Sequence, residues 1–219
     1  MKRLAIVGSN DLAQLIAHHA VTGGQYTIAG FFDNKKPAGT PVAGFGSVAG
    51  TAEQVEPLFQ AGFFDELLIG VGYTQFDFRK AAFDRFSARV PMATLIHRSA
   101  YVDPSCAIGR GVVVLPGCVL DMGVALEDNV LLNTAVSISH HSTVKAHSFV
   151  APRVSIAGYV TVGSLCFIGI GATIIDNVDL CERATIGGGS LVLKDVTEPG
   201  VYYGHPIKPK RNHNNENAQ

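Results

Sequence analysis

The sequence predicts a two-part α/β and β fold. A small α/β domain with a parallel, Rossmann-like sheet occupies residues 1–92, and a parallel β-helix built on a hexapeptide repeat occupies residues 93–219. Three observations carry this. Short apolar runs alternate with helix-spaced segments through the first part of the chain. From Ile96 to Val192 every sixth residue is Ile, Leu or Val, seventeen in succession. The residue two before each of these is small or valine in all seventeen cases.

The front elements follow in order. Residues 4–8, LAIVG, are a short apolar strand, and Ser9-Asn10-Asp11 is a helix-start signal. Residues 11–20 have helical spacing, and Gly23-Gly24 ends that helix. Residues 26–34 form a second strand closing on Asp33, and residues 53–61 a short helix. A third strand is expected at 65–72, a helix at 75–90 and a fourth strand at 92–97. Arg79 reads as an ordinary surface residue of that helix. Parallel sheets with crossover helices bind ligands at the carboxyl ends of their strands. Here those ends carry Gly8, Ser9 and Asn10, then Asp33 and Asn34, then Gly70.

In the second half each six-residue unit supplies one short strand and a corner. The aliphatic residue fills the interior, and the small residue fits the crowded space beside the corner. Three units close one coil, so residues 18 apart stack. Of the four cysteines, Cys106, Cys118 and Cys166 occupy small inward positions and read as core atoms; Cys181 falls outside the pattern. No CxxC pair is present, which argues against a zinc or redox motif.

Composition excludes several classes of function. The 17 basic and 18 acidic residues nearly cancel, so no nucleic-acid or acidic-membrane partner is expected. No apolar run approaches the roughly 20 residues of a membrane span. The run from Leu4 to Val7 is too short for a signal peptide, so a cytoplasmic location is the default expectation. The 47% hydrophobic and 16% charged content fits a surface partly covered by partners.

VGSND at the first turn, FFDN after the second strand, LLNTAVSISHH, APRVSIAG and GHPIK near the end together resemble a known family. These are the hexapeptide-repeat acyltransferases with a small α/β domain in front, of the sialic acid O-acetyltransferase and UDP-4-amino-sugar N-acetyltransferase type. The resemblance implies a left-handed β-helix and a homotrimer with active sites at subunit interfaces. It implies acetyl-CoA as cosubstrate and a nucleotide-linked amino sugar as acceptor, in surface polysaccharide biosynthesis. O-acetylation of a sugar such as sialic acid is the first alternative; a non-catalytic sugar-nucleotide-binding scaffold is the second.

Acetyl transfer needs a group that removes the acceptor's proton and a donor for the oxyanion, and a neutral imidazole suits the first task near pH 7. By resemblance His140 is that base and Asn133 contacts the sugar. Gly158 stacks one coil above His140 and offers a backbone N–H toward the thioester carbonyl. Two departures from the family stand out. His141 replaces the Asp or Glu that orients the base: either another carboxylate, with Asp121 the candidate, takes over, or His141 accepts as a neutral ring, or the base is less tuned. Phe149 replaces a second histidine, for which His147 is the candidate substitute. For coenzyme A the resemblance points to Gly158, Ile170, Gly188 and Lys208, with His147 beside the acyl group. The missing GxGxxG argues against a dinucleotide cofactor. A catalytic metal is not expected, because His140 and His147 fall at successive corners and Pro104 and Ser105 stand two coils below His140 and His141.

Overall fold

The computed structural model describes residues 1–210. The end of the polar C-terminal stretch, 211–219, lies outside the described residues. The front part runs β1 (Lys2–Val7), α1 (Asp11–Thr22), β2 (Tyr26–Phe32), β3 (Val48–Gly50), α2 (Val55–Gln60), β4 (Glu66–Ile69) and α3 (Phe76–Phe86). The sheet order is β3-β2-β1-β4 and every pair is parallel. Leu4, Ala5 and Ile6 of β1 are all fully buried. That is why this central strand reads as a continuous apolar run rather than an alternating one. In α1 the buried positions are Ala13, Ile16, Ala17 and Ala20, the spacing of one helical face.

The fourth strand is not where the sequence pattern put it. Residues 92–97 do not join this sheet as a strand. Met92 makes one parallel bridge to Leu67, and Leu95–Ile96 pairs instead with Val113–Val114 of the repeat. The fourth place belongs to β3, three residues at the sheet edge, too short to show a period. The segment 75–90 likewise contracts to α3, which ends at Phe86.

Seventeen short parallel strands follow, β5 (Leu95–Ile96) to β21 (Leu191–Val192), with each strand pairing to those 18 residues away. They form three sheets, one per face of a prism. At the corners nine non-glycine residues have φ between 57° and 65°, His141, His147 and Tyr159 among them. This left-handed conformation costs an L-residue about 1–2 kcal/mol. Each coil offsets it by bonding to the one before, as His141 N–H does to Met122 O at 2.9 Å. Cys118 and Cys166 are buried in the prism core, while Cys106 in the first coil and Cys181 near the last are partly buried against it. At the far end β22 (Gly200–Gly204) pairs with β20 (Ala184–Ile186) and folds back on β23 (Ile207–Pro209), closing the prism.

The front part docks on one face only. Leu95, Val113, Leu131 and Phe149 point outward from that face, yet they are buried in one apolar cluster with Leu4, Ile6 and Ile16. Tyr73 stacks on Phe167 at 4.3 Å between ring centroids. Here the sequence reading of Arg79 is corrected. Arg79 is fully buried beneath α3, donating to Asn129 O at 2.6 Å and His147 O at 3.0 Å. Both acceptors are corner carbonyls of the β-helix. Burial pushes its guanidinium down to about 9, which still leaves it charged at neutral pH. Among the described residues no helix is long and apolar enough to cross a membrane.

Candidate active site

His140 stands at the corner between β12 (Ser137–Ile138) and β13 (Thr143–Val144). The ring occupies the space that Gly158 leaves open in the next coil: a methyl group on Gly158 would lie 2.7 Å from His140 Cε1 and 3.0 Å from Nε2. Gly158 is buried, and its N–H donates to no group among the described residues, whereas its carbonyl accepts from Asn177 N–H at 3.0 Å. A free backbone donor therefore sits beside the imidazole, the pairing that acyl transfer requires.

His140 Nδ1 lies 3.3 Å from His141 Nδ1. Tyr159, one coil on, stacks on His141 with ring centroids 5.1 Å apart and planes 7° from parallel. It also meets His140 edge-on at 5.2 Å. Asp121 makes no contact with His140; its Oδ1 accepts from Met122 N–H at 2.8 Å. Tyr159 went unnoticed in the sequence, although stacking at 18-residue intervals placed it directly over His141.

His147 is also corrected. It is 7% exposed at a different corner. Its Nδ1 meets Asn129 Nδ2 at 3.0 Å, and Phe83 of α3 packs edge-on against the ring at 5.6 Å. Enclosed in this way it has no open side for a cofactor; burial, above all, pushes its pKa down. Phe149 faces the front part beside Tyr73.

The remaining β-helix candidates gather at the corner on the other side of β12. Asn133 follows β11 (Leu131–Leu132), and its Oδ1 accepts from Thr134 N–H at 2.8 Å. Ile170 is 58% exposed on the same corner, with Gly188 packed directly beyond it. Exposed Lys208 sits opposite Tyr203 in the closing hairpin, and Tyr203 abuts Gly187. In one chain, then, His140 with Gly158 and Asn133 with Ile170, Gly188 and Lys208 lie on two edges separated by a face.

In the front part Gly8, Asn10, Asp33, Asn34 and Gly70 line a single cavity of about 390 Å³. The two glycines allow this convergence: Gly8 has φ +100°, and a methyl on Gly70 would lie 2.6 Å from Ile6 Cγ2 and 2.9 Å from Ala13. Ser9 is the exception. It is fully buried and donates to Asp33 Oδ2 at 2.5 Å, so it holds the carboxylate rather than facing the cavity. Burial disfavours ionised Asp33, but the Ser9 hydroxyl, the Lys35 and Lys36 N–H groups and the Lys36 charge outweigh it and keep the carboxyl below its usual value. Lys36 Nζ bonds Asn10 Oδ1 at 3.0 Å, a cation at the start of α1 that the sequence reading passed over. Among the described residues no group of His, Cys, Asp and Glu is placed to hold a metal ion.

Known proteins share this fold. The family described as GMPPB C-terminal domain matches residues 90–186. The acetyltransferase domain of PglB from Neisseria gonorrhoeae superposes with a TM-score of 0.88 at 28% identity, covering 96% of this chain and 100% of that one. The chain shares the fold of the hexapeptide-repeat sugar acetyltransferases. The same PglB domain in complex with acetyl coenzyme A gives a TM-score of 0.87 at 27% identity, covering 95% and 99% of the two chains. A GDP-perosamine N-acetyltransferase from Caulobacter crescentus, solved with CoA and GDP-perosamine, shows the same fold at 23% identity, with a TM-score of 0.89 and 97% and 98% covered. Among curated proteins, the UDP-3-O-acylglucosamine N-acyltransferase of Bordetella avium is 36% identical over 75 residues, 34% of this chain. The chain spans only 21% of that relative's length.

Proposed function

We infer that this chain is an acetyl-CoA-dependent N-acetyltransferase whose acceptor is a nucleotide-linked 4-amino-deoxysugar, with His140 as general base. The observation that carries the reading is the His140 imidazole set against the free N–H of Gly158. The acceptor amine attacks the thioester carbon, the N–C bond forms, and His140 Nε2 takes the amine proton. Gly158 N–H holds the developing oxyanion. As the C–S bond breaks, the proton on His140 passes to the coenzyme A sulfur.

Support for acetyl-CoA comes from the PglB domain, whose fold and acetyl-coenzyme A complex match nearly the whole chain. Support for a nucleotide comes from the front cavity, where the N-terminus of α1 and Asp33 offer partners for phosphate and ribose, with Lys36 bonded to Asn10 of its lining. The division of site residues between two edges supports a homotrimer in which one copy's His140 edge meets a neighbour's Asn133 edge. Exposed Met122, Tyr159 and Ile170 are the apolar residues such an interface would cover. A cytoplasmic enzyme that feeds surface polysaccharide synthesis is part of the same reading.

The test is release of free thiol from acetyl-CoA with UDP-, dTDP- and GDP-linked 4-amino sugars and with sialic acid. Turnover with one amino sugar is expected. Turnover with sialic acid alone would make the reaction an O-acetylation. Binding of a sugar nucleotide without any turnover would make the chain a scaffold.

A further inference from the structure

The base has an uncommon partner. His141 is exposed, its backbone is left-handed with φ 58°, and its ring lies between Gly123 and Tyr159. The Nδ1–Nδ1 separation of 3.3 Å permits one hydrogen bond, which needs one nitrogen protonated and the other bare. For His140 to act through Nε2, its own proton must be on Nδ1. His141 must then accept on Nδ1 and carry its proton on Nε2.

We propose that His141, clamped by the Tyr159 ring, is the positioning residue that fixes His140 in its Nδ1–H tautomer, a neutral imidazole doing what a carboxylate would otherwise do. This rests on the assignment of His140 as base. Two neighbouring carboxylates of the stack are already engaged: Asp121 one coil below with Met122 N–H, and Asp176 two coils above with Asn177 Nδ2. When His140 takes the substrate proton, its Nδ1–H bond to His141 becomes charge-assisted, which favours the imidazolium. Protonation of His141 on Nδ1 removes the acceptor, so the device works only while that ring is neutral.

The corner geometry supplies clean substitutions. Asn and Asp tolerate the left-handed conformation, and Leu165 already adopts φ 57° at the equivalent place of another corner. His141→Leu cannot accept a hydrogen bond. It should lower kcat at least about tenfold with little change in KM, within the roughly 10²–10⁴-fold that a positioned base contributes. His141→Asn can accept through Oδ1 and should restore most of that loss. His141→Asp should also be active, and its carboxylate, by favouring the imidazolium, should move the acid limb of kcat/KM to higher pH. Tyr159→Asn should fall between wild type and His141→Leu.

A readout independent of turnover is the imidazole nitrogen spectrum of ¹⁵N-histidine-labelled protein at pH 8. One ring of the pair should carry its proton on Nδ1, and His141→Leu should abolish that signature. If His141→Leu matches wild type in kcat while His140→Asn is inactive, the positioning role is overturned and the base assignment stands. Two rings protonated on Nε2 in wild type would overturn the pairing itself. Should no acceptor support turnover, the spectrum alone decides whether the pair exists.

Discussion

Gly158→Ala tests the site with a single methyl group. The new carbon would lie 2.7 Å from His140 Cε1, 3.0 Å from Nε2 and 3.2 Å from Nδ1. Carbon atoms in comfortable contact sit about 3.5–4.0 Å apart, so the ring must retreat by roughly 0.8 Å or more. Misplacing a reacting group by about 1 Å costs on the order of 10²-fold in rate, which corresponds to about 2.7 kcal/mol of barrier. The fold should not suffer. Gly158 has no left-handed φ, and Ala146 occupies the equivalent place at another corner. Alanine also stiffens the unfolded chain, worth about 0.4–1 kcal/mol in favour of folding. Steady-state thiol release and thermal melting should therefore separate: kcat down about a hundredfold, Tm unchanged or slightly higher. A variant with full kcat would refute the placement of base and oxyanion donor. A variant that loses activity only because it melts early would refute the argument that the methyl acts on His140.

Arg79→Met should lower Tm by several degrees, because two buried carbonyls lose their donor at about 1–3 kcal/mol each and each kcal/mol shifts Tm by about 2–4 °C at this size; calorimetry checks it. His19 and His147 are both held below the ordinary 6.5, chiefly by burial. Their folded values lie below the unfolded one, so the stabilisation is complete above about pH 6.5 and is lost as pH falls through the folded values. Tm should thus be flat above pH 7 and drop toward pH 5, and His147→Asn should drop less. Burial pushes the Cys166 thiol up to about 12 and raises that of Cys118 as well. Neither should react with a thiol reagent until the protein is denatured, which leaves the thiol-release assay clean on their account.

Much of this molecule is written in its periods. A six-residue repeat without insertion fixes the strand pairs, since a partner is simply 18 residues away. The same arithmetic put Gly158 against His140. What the repeat could also have told is where the front part docks. Outward residues on one face are Leu95, Val113, Leu131, Phe149 and Phe167, whereas the next face carries Ala107, Ala125, Thr143, Thr161 and Asp179. Sorting outward positions by 18 rather than by 6 exposes that contrast. Arg79 was not legible in this way. Nothing local marks a helix arginine as buried; its partners are carbonyls 50 and 68 residues further on. His147 was misplaced for a related reason, because its burial depends on α3 lying over it. Edge strand β3 escaped because three residues carry no period.

The most direct test of the account is acetyl transfer by wild type and His140→Asn, compared at saturating acetyl-CoA with the best nucleotide amino sugar. Asparagine fills the same place and cannot take a proton. The account predicts that kcat falls by about 10²-fold or more while acetyl-CoA binding stays within a few-fold of wild type. Equal turnover by the two proteins would contradict it and move the catalytic base elsewhere.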